Sequence, residues 1–190
     1  MSGLRELVQN GYFVSGAVIL LIILFGLSFF KPNHRNNIPK IMADEKSDKN
    51  SLKRLLIEIN RHGNIQDPNT LKPLVVLENF FVGNNDYGSI GYHFYPHQPS
   101  PREFYEHFRN IRQKTEVYKV LVEIKDQVGT ENWPSTDIIW IITSATEDDV
   151  RNWLGVRFQA DDLLIGFPDK IRLDEIRIPT CMKAIGVWWK

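Results

Sequence analysis

The sequence predicts an α+β domain, a mostly antiparallel sheet in the order β-β-α-β-β-α-β with helices packed on it, preceded by one transmembrane helix. Three observations carry that prediction. Gly11 to Phe30 is an uncharged, largely apolar run of 20 residues. Ser100 and Ser144 each stand three residues before a glutamate, the spacing of a helix-opening capping box. The remaining apolar stretches are short, rich in β-branched and aromatic residues, and bounded by turn formers, as strands are. Strands and helices in irregular succession indicate an α+β layer arrangement.

The chain divides into a short tail (1–10), the transmembrane helix (11–30), a flexible linker (31–50) and a globular domain (51–190). Of 190 residues, 43% are hydrophobic, enough for a core, and 12% aromatic, which argues against overall disorder. Formal net charge is zero, but Arg5, Lys31, Arg35 and Lys40 against Glu6 give the first 40 residues +3, which leaves −3 for the rest. A domain without basic bias is not suited to nucleic acid, and none is expected as a partner.

At about 1.5 Å per residue, Gly11 to Phe30 spans the roughly 30 Å hydrocarbon layer, so the lipid bilayer is an expected partner. A cleaved signal peptide is the competing reading, since Gly26 and Ser28 form a small-x-small pair. The apolar run is longer than a usual signal core, however, and Glu6 offsets the single Arg5 before it. Lys31, Arg35 and Lys40 come after the span, so the positive-inside rule places the domain in the cytoplasm. One cysteine, Cys181, cannot form an internal disulfide, and its setting predicts a buried, inert thiol.

Residues 31–50 are polar and charged with two prolines, a tether. Asn50 or Ser51 then caps a helix to about Arg61, with Leu52, Leu55, Leu56 and Ile59 on one stripe. Its Lys53, Arg54 and Arg61 also allow a membrane-surface role, secondary to packing on the domain. From Leu74 to Phe81 and from Ser89 to Tyr95 the residue types favour strands, and Gly83 to Gly88 between them holds the residues that reverse a chain. The pattern predicts a hairpin, with Gly83 and Gly88 at positive φ. Its loop residues Asn84, Asn85, Asp86 and Tyr87 are candidate binding residues, because loops on rigid scaffolds carry function.

The Ser100 capping box, with Pro101 at the first helical position, opens a helix to about Lys114 whose Phe104, Phe108 and Ile111 face the core. Tyr118, Val120, Val122 and Ile124 alternate with Lys119, Leu121, Glu123 and Lys125, a strand buried mainly on its first face. Trp133-Pro134 lies in the next loop, the proline holding Trp133 extended, and Trp133 is a further candidate contact residue. Ile138 to Ile142 has no polar alternation and should be a central strand. Ser144 caps a helix carrying Val150, Trp153 and Leu154; residues 159–180 lack a period and should be irregular; Ala184 to Trp189 should be the last strand. Alternation places Trp188 and Trp189 on opposite faces, and an exposed Trp188 would mark a contact surface.

Chemical signatures are weak. His93 and His97 are four apart but flank Pro96 at a strand end, so helical spacing does not bring them together, and no metal site is expected. Asp148-Asp149 with Glu147, and Asp161-Asp162, are carboxylate pairs of the kind that caps helices or faces solvent. No catalytic residue and no cofactor are assigned.

Leu77-Glu78-x-Phe80-Phe81-x-Gly83-Asn84-x-Asp86-x-Gly88-Ser89-Ile90-Gly91, then Trp133-Pro134, Ile142-Thr143-Ser144-Ala145, Trp153 and Val187-Trp188-Trp189, resembles a family of small uncharacterised bacterial proteins over residues 74–190. The resemblance implies a bacterial source and a shared fold and transfers no catalytic residue. Members of that family mostly lack a membrane span, and this chain departs from them over residues 1–73. The functional expectation is a membrane-anchored, non-enzymatic protein-binding domain, of which an immunity or inhibitor protein is one form. The alternative is a hydrolase or transferase in which Glu78, Asp86, His93 and the Asp161-Asp162 pair converge.

Overall fold

The computed structural model describes residues 47–61, 65–67, 70–94, 96–168 and 176–190, all within the unit Glu45–Lys190. The expected tail and transmembrane helix, and the linker to residue 46, lie outside the described residues. Among the described residues no helix is long and apolar enough to cross a membrane. The elements are α1 (Lys49–Asn60), β1 (Leu74–Val76), α2 (Leu77–Phe81), α3 (Pro101–Arg112), β2 (Val117–Glu123), β3 (Ile138–Thr143), α4 (Glu147–Leu154), β4 (Asp162–Ile165) and β5 (Lys183–Trp188). The strands form one sheet, β1-β2-β3-β5-β4, antiparallel at every pairing. The α+β class and antiparallel sheet agree with the sequence; the order of elements does not.

The expected hairpin is absent. After the three residues of β1 the chain turns helical, because Leu77, Phe80 and Phe81 repeat at i, i+3 and i+4 and all are buried. A strand would point Phe80 and Phe81 to opposite faces, whereas one turn of helix turns both inward, where their rings meet edge to face at 4.9 Å. The Trp133 indole donates to the Phe80 carbonyl (2.9 Å), supplying one of the partners a short helix leaves missing. Two 3-10 turns, Tyr87–Ser89 and Tyr92–Phe94, then stand in place of a second strand. Gly83 does sit at φ +83, and a Cβ there would stand 2.9 Å from the Asp48 Cβ. Gly88 does not take positive φ; it lies in the first 3-10 turn, where its N–H donates to the Asp86 carboxylate.

A strand is gained where an irregular connection was expected. Asp162–Ile165 pairs with β5, and buried Leu163 joins the core. In β2 the register shifts between Val117 and Lys119, so Val117 turns inward and Tyr118 is 54% exposed, contrary to the alternation. Helix caps also move. Asp48, not Asn50 or Ser51, caps α1 by accepting from the N–H groups of both, and the α4 capping box is Thr146 with Asp149. Ser144 instead faces Glu116, to whose carbonyl its N–H donates (3.0 Å), and Ala145 N–H is held by the Thr143 hydroxyl in a turn. Contacts with the domain reach back before Ser51: Asp48 N–H donates to Gly83 O (2.8 Å), and the Ser47 hydroxyl accepts from Asn85 N–H (3.0 Å).

All four helices contribute to one core with one face of the sheet. Leu55 and Ile59 of α1, Phe80 of α2, Phe104 and Phe108 of α3 and Val150 of α4 cluster with Val75, Val120, Val122, Ile139, Ile141, Ile185 and Val187. Trp189 packs edge to face on Phe104 (5.5 Å) and Phe108 (5.9 Å). The second cluster, among the described residues, draws only on strands and on the β4–β5 connection.

Candidate functional site

Directly opposed residues in an antiparallel ladder share a face, so the register reads off the surface that the helices do not cover. One row crosses all five strands: Leu74, Glu123, Ile138, Trp188 and Asp162. The next is Val76, Leu121, Trp140, Gly186 and Leu164, and a third holds Lys119, Ile142 and Ala184. The inner part is closed. The Trp140 ring lies across Gly186, where a Cβ would come 2.8 Å from its Cζ3, and Phe167 of the β4–β5 connection packs on it at 4.7 Å. Toward β1 and the first row the cover thins, and Leu74, Val76, Ile138 and Trp188 remain half-buried.

Glu123 stands within this apolar row between Leu74 and Ile138. The Trp140 indole N–H donates to its Oε2 at 2.7 Å. Burial raises its carboxyl pKa above the ordinary range; the Trp140 bond and the charge of Lys72 oppose the rise, and Asp137 adds to it. Lys72 does not pair with it, since its ammonium donates to the Lys125 carbonyl (2.9 Å), and Asp137 is paired with Lys125. Among the described residues Glu123 has no ion pair. Glu78 on the helix side is the opposite case. Arg112 holds it with two bonds (2.6 and 2.9 Å), Tyr105 lies 3.4 Å away, and the Arg112 bonds hold its carboxyl below the ordinary range despite partial burial.

The residues singled out in the sequence go to different places. Asn84 is buried, with its amide on the Ser89 hydroxyl (2.9 Å) and its carbonyl accepting from Asp86 N–H (2.9 Å). Asp86 caps the 3-10 turn, Asn85 is tied through its backbone to Ser47, and the Tyr87 carbonyl accepts from Gln98. Trp133 is buried in the helix-side core. Trp188 alone of these six lies in the five-strand row with Glu123. The side chain of His93 lies outside the described residues, and His97 is exposed. Cys181 is exposed, not buried, at φ +67 in the turn before β5. Glu78 comes just after β1 and Asp162 opens β4, the two edges of the sheet, about 19 Å apart at ~4.8 Å per strand. Asp161 accepts from Lys190 N–H, and Asp162 from its own Leu163 N–H. Among the described residues no three His, Cys, Asp or Glu side chains group as a metal site would.

A groove of about 340 Å³ lies between α1 and α2. Its polar groups are engaged with one another: Arg54 donates to the Ser51 hydroxyl (2.9 Å), Asn79 to Glu58, and Glu78 is held by Arg112. Sequence reasoning missed Glu123, Trp140, Ile138 and Leu74 as a set. The usable signal was Leu121, an apolar residue on the face of β2 otherwise read as solvated.

Among the described residues these features define a class: a two-layer α+β domain with four helices on one face of a five-stranded antiparallel sheet. The chain belongs to the YfbO family, whose model, described as "Uncharacterized protein YfbO family", matches residues 50–188. It is 33% identical over 138 residues to "Uncharacterized protein YfbO" of Escherichia coli (strain K12), which is 73% of this chain and 97% of that relative. The match takes in α1, which the motif resemblance over 74–190 did not reach. No solved structure matches.

Proposed function

We propose that the domain is a non-enzymatic protein-binding module, tethered to a membrane by residues 11–30, whose contact surface is the helix-free side of the sheet. The observation that carries it is the row in which Leu74 of β1, Ile138 of β3 and Trp188 of β5, half-buried apolar side chains, flank Glu123 outside the helix-packed core. Contiguous apolar surface rimmed by polar residues marks interaction sites on soluble domains. The −3 charge of residues 41–190 and the lack of a basic stripe support a protein partner over nucleic acid. An inhibitor or immunity protein is the form we favour, on the analogy of small acidic single domains.

Affinity isolation of the full chain from native membranes, against Ile138→Asp and Trp188→Ala, tests the module. The expected result is a protein partner retained by wild type and lost from both variants, with thermal melts showing them folded. No retained partner, together with turnover of a small molecule by the purified domain, overturns it. Orientation is tested separately: the positive-inside balance favours a cytoplasmic domain, for which an alkaline phosphatase fusion at the C-terminus should be inactive.

A further inference from the structure

A carboxylate removed from water is unfavourable unless paired, and a surface row of apolar residues gives it nothing to pair with. Glu123 is half-buried, so part of that cost falls on it. It has Leu74 on one side and Ile138 on the other, and one hydrogen bond, from Trp140 to Oε2. A carboxylate offers about four acceptor sites. In the adjoining row of the same face the β2 position is Leu121, buried at 3% exposure, so the fold accommodates an apolar residue on this face of β2. Folding uses position 123 as the acceptor for the buried Trp140 N–H, but that bond does not call for a full negative charge there. Among the described residues no cation pairs with it: Lys72, whose charge acts on it without an ion pair, donates to a carbonyl, and Lys125 pairs with Asp137.

We propose that the helix-free face docks a segment of another protein that presents apolar side chains and one lysine or arginine, whose cation pairs with the Glu123 carboxylate. The proposal rests on the binding-module reading and adds the chemistry of the partner. Leu74, Val76, Ile138 and Trp188 supply the apolar contact, and the cation completes the charge that Trp140 holds in place. Five strands at ~4.8 Å spacing give a row about 19 Å long, the reach of a polypeptide segment rather than of a small molecule. A pair at the centre of an apolar patch is desolvated on docking, which makes it selective for the cation and strongly sensitive to its loss.

The test is photo-cross-linking in native cells, with the full chain carrying p-benzoylphenylalanine at position 138 and, separately, at position 87. Each is made with Glu123 and with Glu123→Gln. The glutamine amide oxygen still accepts from the Trp140 N–H, so Glu123→Gln removes the charge and keeps the bond; a thermal melt confirms the fold. The expected result is a cross-link at 138 to a peptide of another protein, with a lysine or arginine within about two residues, whose yield falls at least about tenfold in Glu123→Gln. Equal yield in both backgrounds, an attached peptide without a basic residue, or a peptide of this same chain, from a second copy or its own N-terminal part, each overturns the proposal. Cross-links from 87 but not from 138 overturn this surface and leave the binding module standing. None from either position overturns both.

Discussion

Ile139 and Ile138 are neighbours in β3 with opposite surroundings. Ile139 points under the helices and is fully buried, whereas Ile138 points to the other side and stays half-buried beside Glu123. The same contrast separates Trp189, locked between Phe104 and Phe108, from Trp188, which lies in the open row. One strand thus carries two kinds of selection at a period of two: packing on one side, and on the other an arrangement that packing alone does not require. Mutating the buried side should therefore do the most damage. Ile139→Ala should cost about 2–5 kcal/mol in urea unfolding, as a buried large-to-small change does. Ile138→Ala should cost less than about 1.5 kcal/mol, since less surface leaves water there on folding. Equal losses would mean that the second face is as closed as the first.

Gly186 is where the open face becomes closed. Trp140 lies over it so tightly that Gly186→Ala should displace the indole, costing about 1–3 kcal/mol as overpacking does. It should also break the bond from Trp140 to Glu123, which a red-shifted, more solvent-quenched tryptophan emission would report. An unshifted spectrum with unchanged stability would place the ring elsewhere.

Legibility in the sequence depended on how local the determining signal is. The Ser100 box, the stripe of α1, and β3 and β5 as strands were readable because each depends on a few adjacent residues. The segment after Val76 was not: Leu77-Glu78-Asn79-Phe80-Phe81 satisfies a strand by residue type and a helix by spacing, and the choice is made by α3 and Trp133, far away in the chain. β4 was hidden because Asp162–Ile165 is a short edge strand whose partner among the described residues is β5, about 20 residues on. The candidate face needed the register of five strands, which no single stretch contains. Trp188 stood out by alternation alone; Glu123 passed as one charge among several.

The loop offers a smaller contrast, between a residue that holds shape and one that is free to vary. Asn84 bridges Ser89 and the Asp86 N–H from a buried position, so Asn84→Ala should cost about 1–3 kcal/mol. Asn85 contributes its backbone N–H to Ser47, which alanine keeps, so Asn85→Ala should stay within about 0.5 kcal/mol. Thermal melts on the pair check this. If the two are equal, Asn84 does not organise the turn.

The smallest effects, about 1 kcal/mol or less, come from the two glutamates, and their signs are opposite. Arg112 lowers the Glu78 pKa, so the unfolded chain binds the proton more readily. The stability Glu78 contributes is therefore present above the unfolded value, about 4.3, and is lost as pH falls through the folded one. Burial raises the Glu123 pKa, so the folded chain holds the proton more readily, and stability falls as pH rises from about 4.3 through the folded value. Glu78→Gln should accordingly be less stable than wild type at pH 7, with the gap closing in acid. Glu123→Gln should be as stable or more stable at pH 7, and that advantage should disappear below about pH 4. Urea unfolding of the three proteins at pH 7, 5 and 3 reads both signs. A Glu123→Gln variant that loses stability at pH 7 would show that the charge on the open face serves the fold after all.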